Sequence, residues 1–122
     1  MTVVDTSVWV DHLRHGVGAL VSLLARNEVL VHPFVIGELA LGGPHQREAL
    51  AELLELPVPV VASDQEVLLL VEQETLHGIG IGYIDCHLLA ATRLTPGARL
   101  WTLDGRLRAA AERLLLAARS FH

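Results

Sequence analysis

The chain has 122 residues, 52% of them hydrophobic but only 4% aromatic, which suits one domain with an aliphatic core, and residues 1–122 are expected to form that single domain. The lone Cys86 excludes an internal disulfide, and Asp5 breaks the N-terminus before any signal-like run develops. No apolar stretch nears the roughly 20 residues of a membrane span, so a soluble, cytoplasmic protein with no membrane partner is expected. The formal net charge of −5 excludes a protein that coats nucleic-acid duplexes by basic surface alone, and because all nine basic residues are arginine, every mechanism that needs a lysine is excluded too.

The first element in chain order is a short β-branched apolar strand, residues 2–4, which ends at Asp5. A short helix over 7–13 follows, then a helix over 17–26 with Leu20, Leu23 and Leu24 on one stripe, and a second strand at 29–31. Pro33 suits the first turn of a helix that runs to about Leu41 and stops at Gly42-Gly43. Residues 46–56 read as an amphipathic helix, and 58–61 as a third strand, with prolines that suggest an edge. Asp64 is expected to cap a helix to about Leu76. The glycines at 78, 80 and 82 form a connection, 83–94 is helical, 99–102 is a strand, and Asp104 begins a last helix to about Arg119. Short apolar strands alternating with helices imply an α/β three-layer sandwich, a short parallel sheet covered by helices on both faces. In such sheets ligands gather outside the carboxyl ends of the strands, where Asp5 and Asp104 fall.

Two further acids stand out by their company. Glu38 is the only charged residue between Glu28 and Arg47, next to Phe34 and Val35 by helical spacing. Asp85 is the only carboxylate between Glu74 and Asp104. A carboxylate on an apolar surface is costly unless it is paired or binds a metal. Each acid also has a plain structural reading. Asp5 and Asp104 suit helix N-caps, and Asp85 lies in a first helical turn, where the helix dipole favours negative charge. Glu38 has no capping role mid-helix. Together the four carboxylates would suit Mg²⁺ or Mn²⁺, hard ions that take oxygen ligands. Ser7 and Thr102 flank the strand-end acids by two residues each, either to orient a carboxylate or simply to satisfy local backbone groups.

The order and surroundings of these residues resemble the PIN-domain family, in particular VapC-type toxins of toxin–antitoxin pairs. The opening Val3-Val4-Asp5-Thr6-Ser7-Val8-Trp9 is similar to the family's first motif, and Val35-Ile36-Gly37-Glu38-Leu39 to its second. Gly82-Tyr83-Ile84-Asp85-Cys86-His87 is similar to the third, and Leu100-Trp101-Thr102-Leu103-Asp104 to the fourth. The resemblance implies a PIN-like fold and a Mg²⁺- or Mn²⁺-dependent endoribonuclease with Asp5, Glu38, Asp85 and Asp104 as catalytic metal ligands. It also implies an RNA substrate, a cognate antitoxin and a homodimer. One position departs: many relatives carry another acid where this chain has Arg106, so a second metal would be held weakly or only with RNA present. Arg106 reads either as a contact to a substrate phosphate or as a surface arginine without a role.

Other signals are weaker. Cys86 sits among apolar residues and reads as inert core. His87 lies about 200° round a helix from Asp85, so the two cannot share an ion from that helix. His12 and His15 read as a polar rim. The glycines at 78, 80 and 82 lack the preceding strand of a dinucleotide fingerprint. A phosphoacceptor receiver would need a lysine that this chain lacks. The alternative function is a non-catalytic PIN-like scaffold that binds RNA or protein without cutting.

Overall fold

The computed structural model describes residues 1–119. Its three strands, β1 (Thr2–Val4), β2 (Val29–Leu30) and β3 (Arg99–Trp101), form one parallel sheet in the order β2-β1-β3. Thr2 stands opposite both Val29 and Arg99, and Val4 opposite Trp101. Every side chain of β1 is buried. Successive strand side chains point to opposite faces, so the central strand is covered on both sides, as the expected sandwich requires.

The helices are α1 (Thr6–His15), α2 (Gly18–Ala25), α3 (Pro33–Ala40), α4 (Pro44–Glu48), α5 (Leu50–Leu53), α6 (Asp64–Gln73), α7 (Tyr83–Leu94) and α8 (Gly105–Arg113). Six of them pack in two groups: α1, α3, α4 and α5 against one another, and α6 against α7, which also packs on β3. Leu20, Leu39, Leu88, Leu89, Leu100 and Leu107 are fully buried among the aliphatic side chains of the core.

Four expectations need correction. Residues 58–61 are not a strand. Pro57 and Pro59 lack amide hydrogens, so the segment cannot sustain a ladder, and its neighbours make only isolated bonds, Val31 N to Pro57 O and Val60 N to Thr95 Oγ1. The helix expected over 46–56 is two short helices that meet at Ala49. The last helix stops at Arg113 rather than near Arg119, because Leu115 turns to φ 61° and the chain folds back along β3. There Leu100 N donates to Leu116 O and Ala118 N to Leu100 O, so the outer edge of β3 is paired by this tail. The cap of α6 is Ser63, not Asp64: Ser63 Oγ accepts from Glu66 N while Glu66 Oε1 accepts from Ser63 N.

Candidate active site

Asp5 leaves the central strand at its carboxyl end. Its amide donates to Trp101 O, continuing the ladder with β3, and its own carbonyl starts α1 by accepting from Val8 and Trp9. Asp5 therefore occupies the N-cap position, yet its side chain does not cap. The buried carboxylate instead receives two hydroxyls on one oxygen, Ser7 Oγ at 2.8 Å and Thr102 Oγ1 at 2.7 Å from Oδ2. The backbone fixes the direction of both bonds. Ser7 Oγ accepts from Leu103 N and Thr102 Oγ1 accepts from Asp104 N, each at 3.0 Å, so each hydroxyl's single hydrogen is directed to Asp5. Arg108 Nη2 donates to Thr102 O at 3.1 Å and steadies the same strand end.

Asp104 is the N-cap of α8, with Oδ1 accepting from Arg106 N and Leu107 N at 3.0 Å each. Asp85 sits in the first turn of α7, where Oδ2 accepts from Gly82 N at 2.9 Å. Burial pushes the Asp85 carboxyl above the ordinary carboxylate range. The Gly82 amide opposes that rise, and the negative charges of Asp5 and Asp104 add to it, which sets Asp85 within electrostatic reach of both. Glu38 stands further out. It is exposed, not buried as its apolar sequence surroundings suggested, and its Oε1 accepts from Thr6 Oγ1 at 2.7 Å, beside Asp5 in sequence.

The four carboxylates share one pattern. Each has one oxygen fixed by protein donors and the other without a donor among the described residues. That is a suitable donor set for a hard divalent ion: charged oxygens, pre-oriented, with a free lone-pair face. No three acidic, histidine or cysteine side chains among the described residues close tightly around one point. An ion here would take few protein ligands, with water or substrate phosphate completing its shell, as Mg²⁺ usually does. A concavity lies behind Thr102, lined by Asp11, Arg108 and Glu112, and includes none of the four acids.

Several residues here drew no functional reading from sequence. Thr6 and Gly82 orient Glu38 and Asp85. A second cluster lies beside them: His87 Nε2 and Tyr83 Oη both meet Asp64 Oδ1, at 3.1 and 2.6 Å, and the His87 ring packs edge-on against Phe34 and Tyr83. Tyr83 and His87 hold the Asp64 carboxyl below its ordinary range, and the same bond to Asp64 pushes the Tyr83 hydroxyl up to about 12. His32, fully buried, accepts from Phe34 N through Nδ1 and caps α3. His12 accepts from Val17 N and His15 meets Asp11, so these two do not act together. Cys86 is buried, and burial pushes its thiol up, which keeps it protonated. Arg106 is exposed, with its side chain lying across Gly80.

Residues 2–113, which span the parallel sheet and include all four carboxylates, match the PIN domain family. The chain belongs to that family. It is also 50% identical, over 112 residues, to a protein described as Ribonuclease VapC32 in Mycobacterium tuberculosis strain CDC 1551 / Oshkosh, and equally to its counterpart in strain ATCC 25618 / H37Rv. Each alignment covers 90% of this chain and 90% of the relative.

Proposed function

We propose that the chain is the toxin endoribonuclease of a toxin–antitoxin pair, hydrolysing RNA phosphodiester bonds with Asp5, Glu38, Asp85 and Asp104 as ligands of Mg²⁺ or Mn²⁺. The observation that carries this reading is the shared pattern of the four carboxylates, each held at one oxygen and open at the other. A bound divalent ion supplies Lewis acidity toward the phosphodiester and offsets the charge that builds on its oxygens. The chain's own residues do the rest. Ser7 and Thr102 aim Asp5, Gly82 N aims Asp85, the first amides of α8 aim Asp104, and Thr6 aims Glu38. Arg106, two residues beyond Asp104, is placed to meet a substrate phosphate.

The partners of this reading are RNA, a cognate antitoxin and a second copy of the chain, in the cytoplasm; no helix among the described residues is long and apolar enough to cross a membrane. Exposed aliphatic side chains such as Val21, Leu41 and Leu54 support an antitoxin-binding face on the helices between residues 17 and 56. Light scattering should report a dimer, and a strict monomer that the neighbouring gene's product does not stabilise would remove this part of the reading.

The test of the catalytic part is direct. Wild-type protein should cleave single-stranded or structured RNA with Mg²⁺ or Mn²⁺ and not in chelator, while Asp5→Asn, Glu38→Gln and Asp85→Asn should each lose cleavage by a factor of 10² or more, on the order of 3 kcal/mol. Asp104→Asn keeps an oxygen that can cap α8, so it should fold normally and lose less activity. Full activity in Asp5→Asn would overturn the assignment, and RNA binding without cleavage by wild type would favour the scaffold.

A further inference from the structure

Building on the ribonuclease reading, we infer that the groove between Ile79 and α8 is an RNA-backbone track running away from Asp104, with Arg106 and Arg113 on successive phosphates and Gly80 as the residue that positions Arg106. The groove is lined by Ile79, Arg106, Ala109, Ala110 and Arg113. Its floor is formed by small alanines, and its charge is purely cationic. Arg26, Arg47, Arg93, Arg99 and Arg108 each reach an acid or a backbone carbonyl. The guanidiniums of Arg14, Arg106, Arg113 and Arg119 have no such partner among the described residues, although the chain carries 14 acids and a net charge of −5, and of these four Arg106 and Arg113 line this groove together. Two unneutralised arginines on one wall of one groove are a binding feature for anions.

The spacing identifies the anion. Arg106 and Arg113 lie seven residues apart on α8, two turns and therefore roughly 10 Å along its axis on one face. That is too far for both to grip one small phosphate, and it suits a polyanion whose charges repeat. Arg106 stands at the Asp104 end of α8, where its amide donates to Asp104 Oδ1.

Gly80 makes the placement of Arg106 specific. A Cβ there would overlap the Arg106 guanidinium nitrogen and press on its Cδ and Cζ at 3.0 and 3.1 Å. Only a residue without a side chain lets the guanidinium lie against this turn. Gly78 is the natural control. It has the same left-handed backbone, φ 74° against 84°, but open space where its Cβ would go. Alanine at either site carries the backbone strain, and only alanine at Gly80 displaces the arginine.

The experiment measures binding of a labelled, mixed-sequence single-stranded oligoribonucleotide to the protein in chelator across a salt series. Each lost phosphate contact should reduce the slope of log K against log salt by about 0.7. Arg106→Gln and Arg113→Gln should each show that reduction and the double variant about twice it, with Arg106→Lys restoring the slope. Gly80→Ala should reduce the slope in the same direction as Arg106→Gln, whereas Gly78→Ala should keep the wild-type slope with a similar fall in melting temperature. Wild-type slopes in both arginine variants, or wild-type protein with no salt-dependent binding, would overturn the track; the first result is also what a groove for a protein partner would give. Equal slopes in the two glycine variants would overturn the role of Gly80. Loss of cleavage is read separately with Mn²⁺, so a chain that binds RNA along this groove but never cuts it would sink the nuclease reading and leave the track standing.

Discussion

Thr102 shows how much of the site depends on single hydroxyls. It donates to Asp5 and accepts from Asp104 N, so it couples the two strand-end acids through one oxygen. Thr102→Val keeps the shape and removes both bonds, leaving a buried carboxylate short of a donor and an amide short of an acceptor. We expect a loss of about 1–3 kcal/mol of stability and roughly 10- to 100-fold in cleavage, with Thr102→Ser recovering most of both. A valine variant with wild-type kinetics would show that Asp5 needs no such orientation. His32 gives a second effect at this scale. Burial first, and then the nearby His87, lower its pKa from 6.5 to about 4 in the folded chain, and its Nδ1 must stay unprotonated to cap α3. The folded value lies below the unfolded one, so between the two the unfolded chain binds the extra proton. This contribution is therefore intact above pH 6.5, falls as pH drops toward about 4, and is constant below that. It amounts to about 3 kcal/mol. Urea melts from pH 7 to 4 should show it, and His32→Asn, which can still cap but does not titrate, should flatten that part of the profile.

Among the elements, the end of the chain depends most on partners distant in sequence. β3 has β1 on one side only, and its other edge would present unpaired amides and carbonyls. The segment after Leu115 covers that edge, which is why the Leu-rich pattern continuing from α8 does not continue as a helix. The periodicity of residues 105–118 cannot reveal this stop, since it is imposed by the open edge of a strand. Ala118→Pro removes the donor to Leu100 O and should lower stability by about 1–3 kcal/mol, while Ala118→Ser, which keeps the amide, should cost clearly less. Equal melting temperatures for the two would mean the tail bond contributes nothing. The sheet and most of the helices were legible because strand alternation, Pro33, and the glycines and turns between elements are local signals, and α7 spans 83–94 as its pattern implies. Residues 58–61 misled because β-branched valines suggest a strand while their prolines deny it hydrogen bonds. The cap of α6 is the pair Ser63 and Glu66, one residue before the expected cap Asp64, because the Ser-x-x-Glu spacing satisfies two amides where Asp64 would satisfy fewer. The positions of Asp5 and Asp104 at strand ends and of Asp85 in a first helical turn were legible from the sequence. The isolation of Glu38 pointed to burial, whereas the residue is exposed and held by Thr6, a partner 32 positions away that no local pattern announces.

At the scale of the whole molecule, the net charge of −5 is unevenly placed. Setting aside the four site acids leaves the remainder close to neutral, so the sheet's carboxyl rim carries most of the imbalance. Asp5 and Asp104 repel the Asp85 carboxylate there, and Asp85 bears this in a half-buried position. A divalent ion that binds only the folded chain should relieve that repulsion and add stability as RT ln(1 + [L]/Kd), about 2.7 kcal/mol when the ion is at a hundred times its Kd. Asp85→Asn retains an oxygen for the Gly82 amide and removes one of the three charges. Without metal the variant should therefore be more stable than wild type by about 1 kcal/mol, which for a domain of this size is a few degrees in Tm. With Mn²⁺ the order should reverse, because the variant lacks a ligand and gains little from the ion. If the acids were only helix caps and solvated charges, Asp85→Asn would lose stability in every buffer through a weakened first turn of α7, and both proteins would respond to Mn²⁺ alike. Four thermal melts, each protein in chelator and in Mn²⁺, separate the two cases: a crossing of the curves supports a shared carboxylate site, and parallel curves would refute it.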